Sequence, residues 1–183
     1  MTSGLMVSDL ARQEEIVTER LLLRPLRMSD AGLIAHYCAD RRVAEGTRSI
    51  PHPLPPGASE AFVSRAMSPE RDEDVWAIDG SSNRLAELLG VVSLTRMEAG
   101  QSELGFWIGA GFWNTGFASE AVAGLVAANP HNSRTLFAEA FQDNPGSARV
   151  LTNSGFEYLG DAESWSVARD ARVPTWTYLR KMG

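Results

Sequence analysis

Hydrophobic positions along the chain fall into two kinds of run. Some cluster or alternate over about four to eight residues, as strands do, and others recur three and four apart, as on one face of a helix. The first run, Leu21, Leu22, Leu23, Pro25 and Leu26, is broken by Arg24 and Arg27 and predicts a strand near a sheet edge, where proline is tolerated. Ser29 and Asp30 offer N-caps for a helix carrying Leu33, Ile34, Tyr37 and Cys38. Pro51, Pro53, Pro55 and Pro56 make the stretch around His52 a stiff loop with few backbone donors, and a second helix follows over Ala58 to Met67. Strands are predicted at Val75 to Asp79, Leu89 to Met97, Glu103 to Ile108 and Thr135 to Phe141. A helix spans Gly116 to Ala128, with Ala121, Val122, Leu125 and Val126 on one face and Asn129-Pro130 as its stop. Asn144 and Pro145 begin a short helix that ends at Gly155, and Phe156 to Leu159 and Pro174 to Leu179 read as closing strands.

This order, a meander followed by strand-helix-strand units, predicts an α/β or α+β domain with a mixed sheet and helices on its faces. Residues 1–17 read as an N-terminal arm and 18–183 as one domain, a division that 183 residues suit. Seventeen Lys and Arg against 23 Asp and Glu give a net charge of -6, which argues against general binding of nucleic acid. Cys38 stands alone, so no intrachain disulfide forms and a multi-thiolate zinc site is excluded. No run reaches the roughly 18 apolar residues of a membrane span, and the first ten residues lack the pattern of a signal peptide, so a cytoplasmic setting is expected.

The segment from Glu103 to Ala121 is the most informative, because it joins a strand to a helix through Gly109, Gly111 and Gly116. The N–H groups of a first helical turn lack internal partners and sit at the positive pole, so Asn114, Thr115, Gly116, Phe117, Ala118 and Ser119 are placed to wrap a phosphate. Glycine alone equally well serves a plain turn. Gly111 and Gly116 have the spacing of a P-loop, but Phe117-Ala118 stands where Lys and Ser or Thr belong. Gly109-Ala-Gly111 opens like a dinucleotide fingerprint, yet Asn114 replaces its third glycine. Both of those readings are therefore rejected.

Four segments in order resemble the GNAT superfamily of acetyl-CoA-dependent N-acetyltransferases, in the branch of the ribosomal-protein alanine acetyltransferases. They are Thr18 to Leu26 with Asp30, Glu103 to Ile108, Trp113 to Ala121, and Asp143 to Leu151 with Gly155-Phe156. The resemblance implies a mostly antiparallel sheet of about seven strands with helices on both faces, acetyl-CoA as donor and no metal. Its pyrophosphate loop maps onto Trp113, Gly116 and Ala118. Asn114 and Thr115 depart from it, standing where the branch commonly has glycine and a basic residue. The resemblance also implies a bulge in the preceding strand, through which the backbone of Phe106 and Ile108 pairs with the pantetheine arm.

Acetyl transfer to an amine needs a base to take a proton, and an acid to protonate the departing thiolate unless it leaves as an anion. The resemblance makes Glu103 a candidate base, with an exposed strand-end glutamate as the alternative. It makes Asn144 a cofactor contact as well as a helix cap, and Ser147 a candidate acid, with an ordinary first-turn serine as the alternative. The acceptor is a protein N-terminus or a small amine, and the chain is a monomer or homodimer. The competing function is a non-catalytic acyl-CoA-binding or regulatory module. His36, His52 and His131 have no metal-ligand spacing and Cys38 reads as core; the resemblance implies that the loop of His52 helps form the acceptor side, with a plain rigid loop as the preferred alternative.

Overall fold

The structure is a computed structural model that describes residues 13–183. Among these residues eight strands form one sheet: β1 (Ile16–Val17), β2 (Leu22–Pro25), β3 (Glu73–Asp79), β4 (Gly90–Arg96), β5 (Gln101–Ile108), β6 (Thr135–Phe141), β7 (Glu157–Ser166) and β8 (Ala171–Lys181). Their spatial order is β1-β2-β3-β4-β5-β6-β8-β7. Every neighbouring pair is antiparallel except β5 and β6. The α-helices are α1 (Ala31–Cys38), α2 (Arg41–Glu45), α3 (Ala58–Met67), α4 (Phe117–Ala128) and α5 (Pro145–Asn153).

Strand parity sorts the core into two layers. Trp76 and Ile78 of β3, Val92 and Leu94 of β4 and Leu104 of β5 pack with Val122 and Leu125 of α4 and Leu151 of α5. Val75, Ala77 and Val91 face the other way, onto Ile34 and Cys38 of α1 and Val63 of α3. The sheet is thus covered on both sides.

The strand beyond the expected seven is β1, which falls in the stretch read as an arm. Ile16 and Val17 pair with Leu23 and Leu22. Just before them, the Gln13 side chain donates to the Val75 carbonyl and the Trp76 indole N–H to the Glu14 carbonyl. Residues 1–12 of the expected arm lie outside the described residues. The apolar run of β2 carries a buried charge: Arg24 donates to Asp79 at 2.8 Å and by two nitrogens to Asp30 at 2.8 and 2.9 Å. Burial works against that guanidinium, and the hydrogen bonds it donates to both carboxylates, with their negative charge, outweigh it, so its pKa is raised.

Candidate functional site

The parallel ladder between β5 and β6 is short: Gln101, Ser102 and Glu103 pair with Thr135, Leu136 and Phe137, and there it stops. Beyond Glu103 the strands diverge, while β5 stays paired with β4 as far as Ile108. The Met97 N–H donates to the Gln101 carbonyl and the Gly109 N–H to the Leu89 carbonyl, so odd-numbered residues of β5 point their backbone at β4. The backbone groups of Leu104, Phe106 and Ile108 therefore line the open wedge. One is already used, since the Ile108 carbonyl accepts the Trp113 indole N–H at 2.8 Å.

A cavity of about 270 Å³ lies on this wedge, between the loop leading into α4 and the start of α5. Asn114 (φ 61°) and Gly116 (φ 83°) both take left-handed backbone, turning the chain so that the first N–H groups of α4 open onto the cavity. Asparagine is among the few side chains that accept this geometry readily. Arg20 braces the loop from outside: it donates to the Thr115 carbonyl at 3.3 Å and to Glu120 at 2.7 Å, and its guanidinium lies 4.4 Å from the Phe117 ring centroid. Arg42 and Arg149 add positive charge to the lining. Across the wedge, Asn144 caps α5 through its side-chain oxygen, which accepts the Ser147 N–H at 3.4 Å.

A second cavity, about 290 Å³, lies on the α1/α3 face of the sheet and shares Phe106, Trp107, Gly46, Thr47 and Ser147 with the first. Glu103, Glu139 and Glu73 line it together with Arg48. Arg48 bonds to Glu103 Oε1 and reaches Glu139 Oε2 at 3.4 Å. Burial works against the Arg48 charge, but Glu103, Glu139 and Glu73 together raise its pKa. The turn between β7 and β8 is tied to the segment that carries Arg48. Its Val167 N–H donates to the Arg48 carbonyl at 3.0 Å, and Arg169 bonds to the Glu45 carbonyl at 2.7 Å and to Asp143.

Residues 20–157 match the acetyltransferase (GNAT) domain family. The chain belongs to the GNAT acetyltransferase family. An N-acetyltransferase of Bacillus licheniformis, p20, is 24% identical over 176 residues, covering 90% of this chain and 94% of that one. Among solved structures, the ribosomal L7/L12 α-N-protein acetyltransferase RimL in complex with coenzyme A superposes with a TM-score of 0.78 at 17% identity, over 92% of this chain and 98% of that one. The microcin C7 self-immunity acetyltransferase MccE, in complex with acetyl-CoA and AMP, gives 0.77 at 15% identity, over 90% and 93%.

This GNAT acetyltransferase is an acetyl-CoA-dependent enzyme, and its expected site residues gather at the wedge. Phe106, Ile108, Trp113, Asn114, Thr115, Gly116, Phe117, Ala118, Ser119, Asn144 and Ser147 all line the 270 Å³ cavity. Glu103 lines the other cavity, with Ser147 common to both. The expected bulge is absent: β4 and β5 pair without a shift from Gly90↔Ile108 to Arg96↔Ser102. Divergence from β6 frees the same backbone groups, so no bulge is needed. In the proline-rich loop, Ile50, Pro51 and Leu54 line the 290 Å³ cavity, whereas His52 is not among the lining residues. Sequence reasoning missed Arg20, Arg42, Arg48, Glu73 and Glu139. Most pair across long separations, 100 residues for Arg20 and Glu120, and no local spacing signals such contacts.

Proposed function

We propose that the enzyme transfers the acetyl group of acetyl-CoA to a primary amine in a ternary complex. The observation that carries this reading is the meeting of two cavities at Phe106 and Ser147, one lined by helix N-termini with Arg42 and Arg149 and no carboxylate, the other by Glu73, Glu103 and Glu139 with Arg48 and Arg65. A helix N-terminus suits a phosphate and a carboxylate suits an ammonium group. Acetyl-CoA supplies the activated thioester. The N–H groups of Gly116 to Ser119, with Arg42 and Arg149, hold the diphosphate, and the backbone edge at Phe106 aligns the pantetheine arm. Glu103 takes a proton from the acceptor ammonium, directly or through water, so that the nitrogen lone pair is available. As the new N–C bond forms and the C–S bond breaks, the nitrogen gives up its second proton and the departing sulfur gains one, with the Ser147 hydroxyl as relay: it donates to the sulfur and is reprotonated by the proton the nitrogen releases.

The test is release of free thiol from acetyl-CoA in the presence of a panel of amines. Turnover on a primary amine is expected, and Glu103→Gln should lower kcat by about 100-fold or more, the usual scale for loss of a general base. A Glu103→Gln enzyme with full activity from pH 6 to 9 removes Glu103 from this role. Acetyl-CoA binding with no turnover on any amine replaces the catalytic reading with a binding module.

A further inference from the structure

Arg48 sits in the loop between α2 and α3, and the peptide around it is tied down from both sides. The Thr47 hydroxyl donates to the Ala44 carbonyl at 2.9 Å and accepts the Ile50 N–H at 3.3 Å. The Arg48 carbonyl accepts the Val167 N–H of the β7–β8 turn at 3.0 Å. From this fixed base a half-exposed side chain reaches the sheet, one guanidinium nitrogen bonding to Glu103 and another to Glu139.

The two carboxylates stand where the wedge begins. Glu103 is the last residue of β5 in the ladder with β6, and Glu139 lies two residues past its partner Phe137, where the strands have parted. Two residues of strand advance about 7 Å, so side-chain contacts and not a ladder set these carboxylates relative to each other. Glu139 is held at both oxygens, Oε1 by the Ser164 hydroxyl of β7 and Oε2 by Arg48. The Glu103 carboxylate is held at one: among the described residues Arg48 is its only ion-pair and hydrogen-bond partner, through Oε1. A planar guanidinium offers donors in a fixed fork, so it sets the direction of a carboxylate as well as balancing its charge. The same cation offsets the negative charges of Glu139 and Glu73 in the cavity that Glu103 lines.

We infer that Arg48 is the positioning residue of the base: it fixes the Glu103 carboxylate through Oε1 and leaves Oε2 to take the proton of the acceptor ammonium. This deepens the acetyl-transfer reading and rests on Glu103 as its base. The effect belongs to turnover and not to donor binding, since Arg48 is not among the residues lining the 270 Å³ cavity.

The experiment measures rates with acetyl-CoA and, as acceptors, butylamine and a short peptide with a free N-terminus. It compares the parent with Arg48→Ala, Arg48→Lys, Glu103→Gln and the double variant Arg48→Ala with Glu103→Gln. On the acceptor that is turned over, Arg48→Ala should lower kcat by about tenfold or more, the scale of a slightly misplaced catalytic group, while KM for acetyl-CoA stays within about twofold. Added methylguanidinium ion should restore much of that loss, and Arg48→Lys, which keeps the charge without the fork, should recover part of it. In the Glu103→Gln background Arg48→Ala should cost nothing further, because the group it positions is gone. Chemical rescue and this non-additivity are readouts that a purely structural arginine would not give. If Arg48→Ala melts at a lower temperature than the parent, Arg48→Lys in both backgrounds carries the same comparison. An unchanged kcat in Arg48→Ala overturns the inference, as do losses that add in the double variant. A lower acceptor KM with faster turnover also overturns it, by showing that the guanidinium merely occupies the place of the acceptor. A Glu103→Gln enzyme as fast as the parent removes the base itself, which separates failure of the catalytic reading from failure of this one.

Discussion

At the scale of single residues, the loop before α4 shows how a departure from a family pattern is absorbed. Thr115 stands where the branch commonly has a basic residue, yet its carbonyl accepts a bond from Arg20, and Arg42 and Arg149 line the same cavity. Positive charge reaches the loop from three other places in the chain. Asn114 carries the left-handed turn that glycine would otherwise supply. Gly116 has less latitude. It sits at φ 83°, and even a Cβ there would come 3.3 Å from the Arg20 guanidinium. Gly116→Trp should therefore weaken acetyl-CoA binding by about tenfold or more, read by calorimetry; unchanged affinity would place the diphosphate elsewhere. The loop glycines and Glu103 were legible because they sit in contiguous motifs. Arg48 was not, because its partners lie 55 and 91 residues away.

At the scale of elements, one buried chain of polar groups ties the start of β3 to β5 and to the loop after α4. His131 lies between Ser102 and Asp74, 2.8 Å from each, and Asp74 also meets Arg71 and Arg96. The triad-like order has no access to substrate, since Ser102 is 1% exposed within β5, paired on both sides, so its role is structural. Burial alone would raise the Asp74 pKa, but the His131 hydrogen bond and the arginine charges outweigh it and hold it at about 2. A carboxyl depressed in the folded state contributes stability above its unfolded pKa, near 3.9, and loses that contribution as pH falls through the folded value. Asp74→Asn should therefore remove about 2 kcal/mol at pH 7 and flatten the fall in urea midpoint between about pH 5 and pH 2. A variant with the same acid profile as the parent would show that Asp74 is not the linked group. Elements with a strong apolar period were readable: β6 and α3 lie where their patterns predict. Those missed or shortened lack one. The two-residue β1 and five-residue α2 are too brief for a period, and most of β7 is exposed, so alternation shows only over its last residues.

At the scale of the whole molecule, the net charge of -6 is not spread evenly over function. Two arginines border each cavity, but the three glutamates lie only along the second, so the first keeps a net positive lining and an acidic chain can hold an anionic donor there without contradiction. The sheet itself is two blocks, β1 to β5 and β6 to β8, sewn together by only three paired positions at one end and by the shared packing of α4 and α5. A ligand in the wedge therefore acts as a substitute strand. Amide hydrogen exchange makes that measurable, because opening of the wedge edges costs less than opening of a fully laddered strand. Coenzyme A should slow exchange in segments 104–108 and 138–141 together, by about tenfold or more at saturation, and leave β2 unchanged. On the proposed placement of the donor, the unfinished seam makes its occupancy a mechanical property of the enzyme, with the loaded protein expected to be stiffer along its midline than the free one.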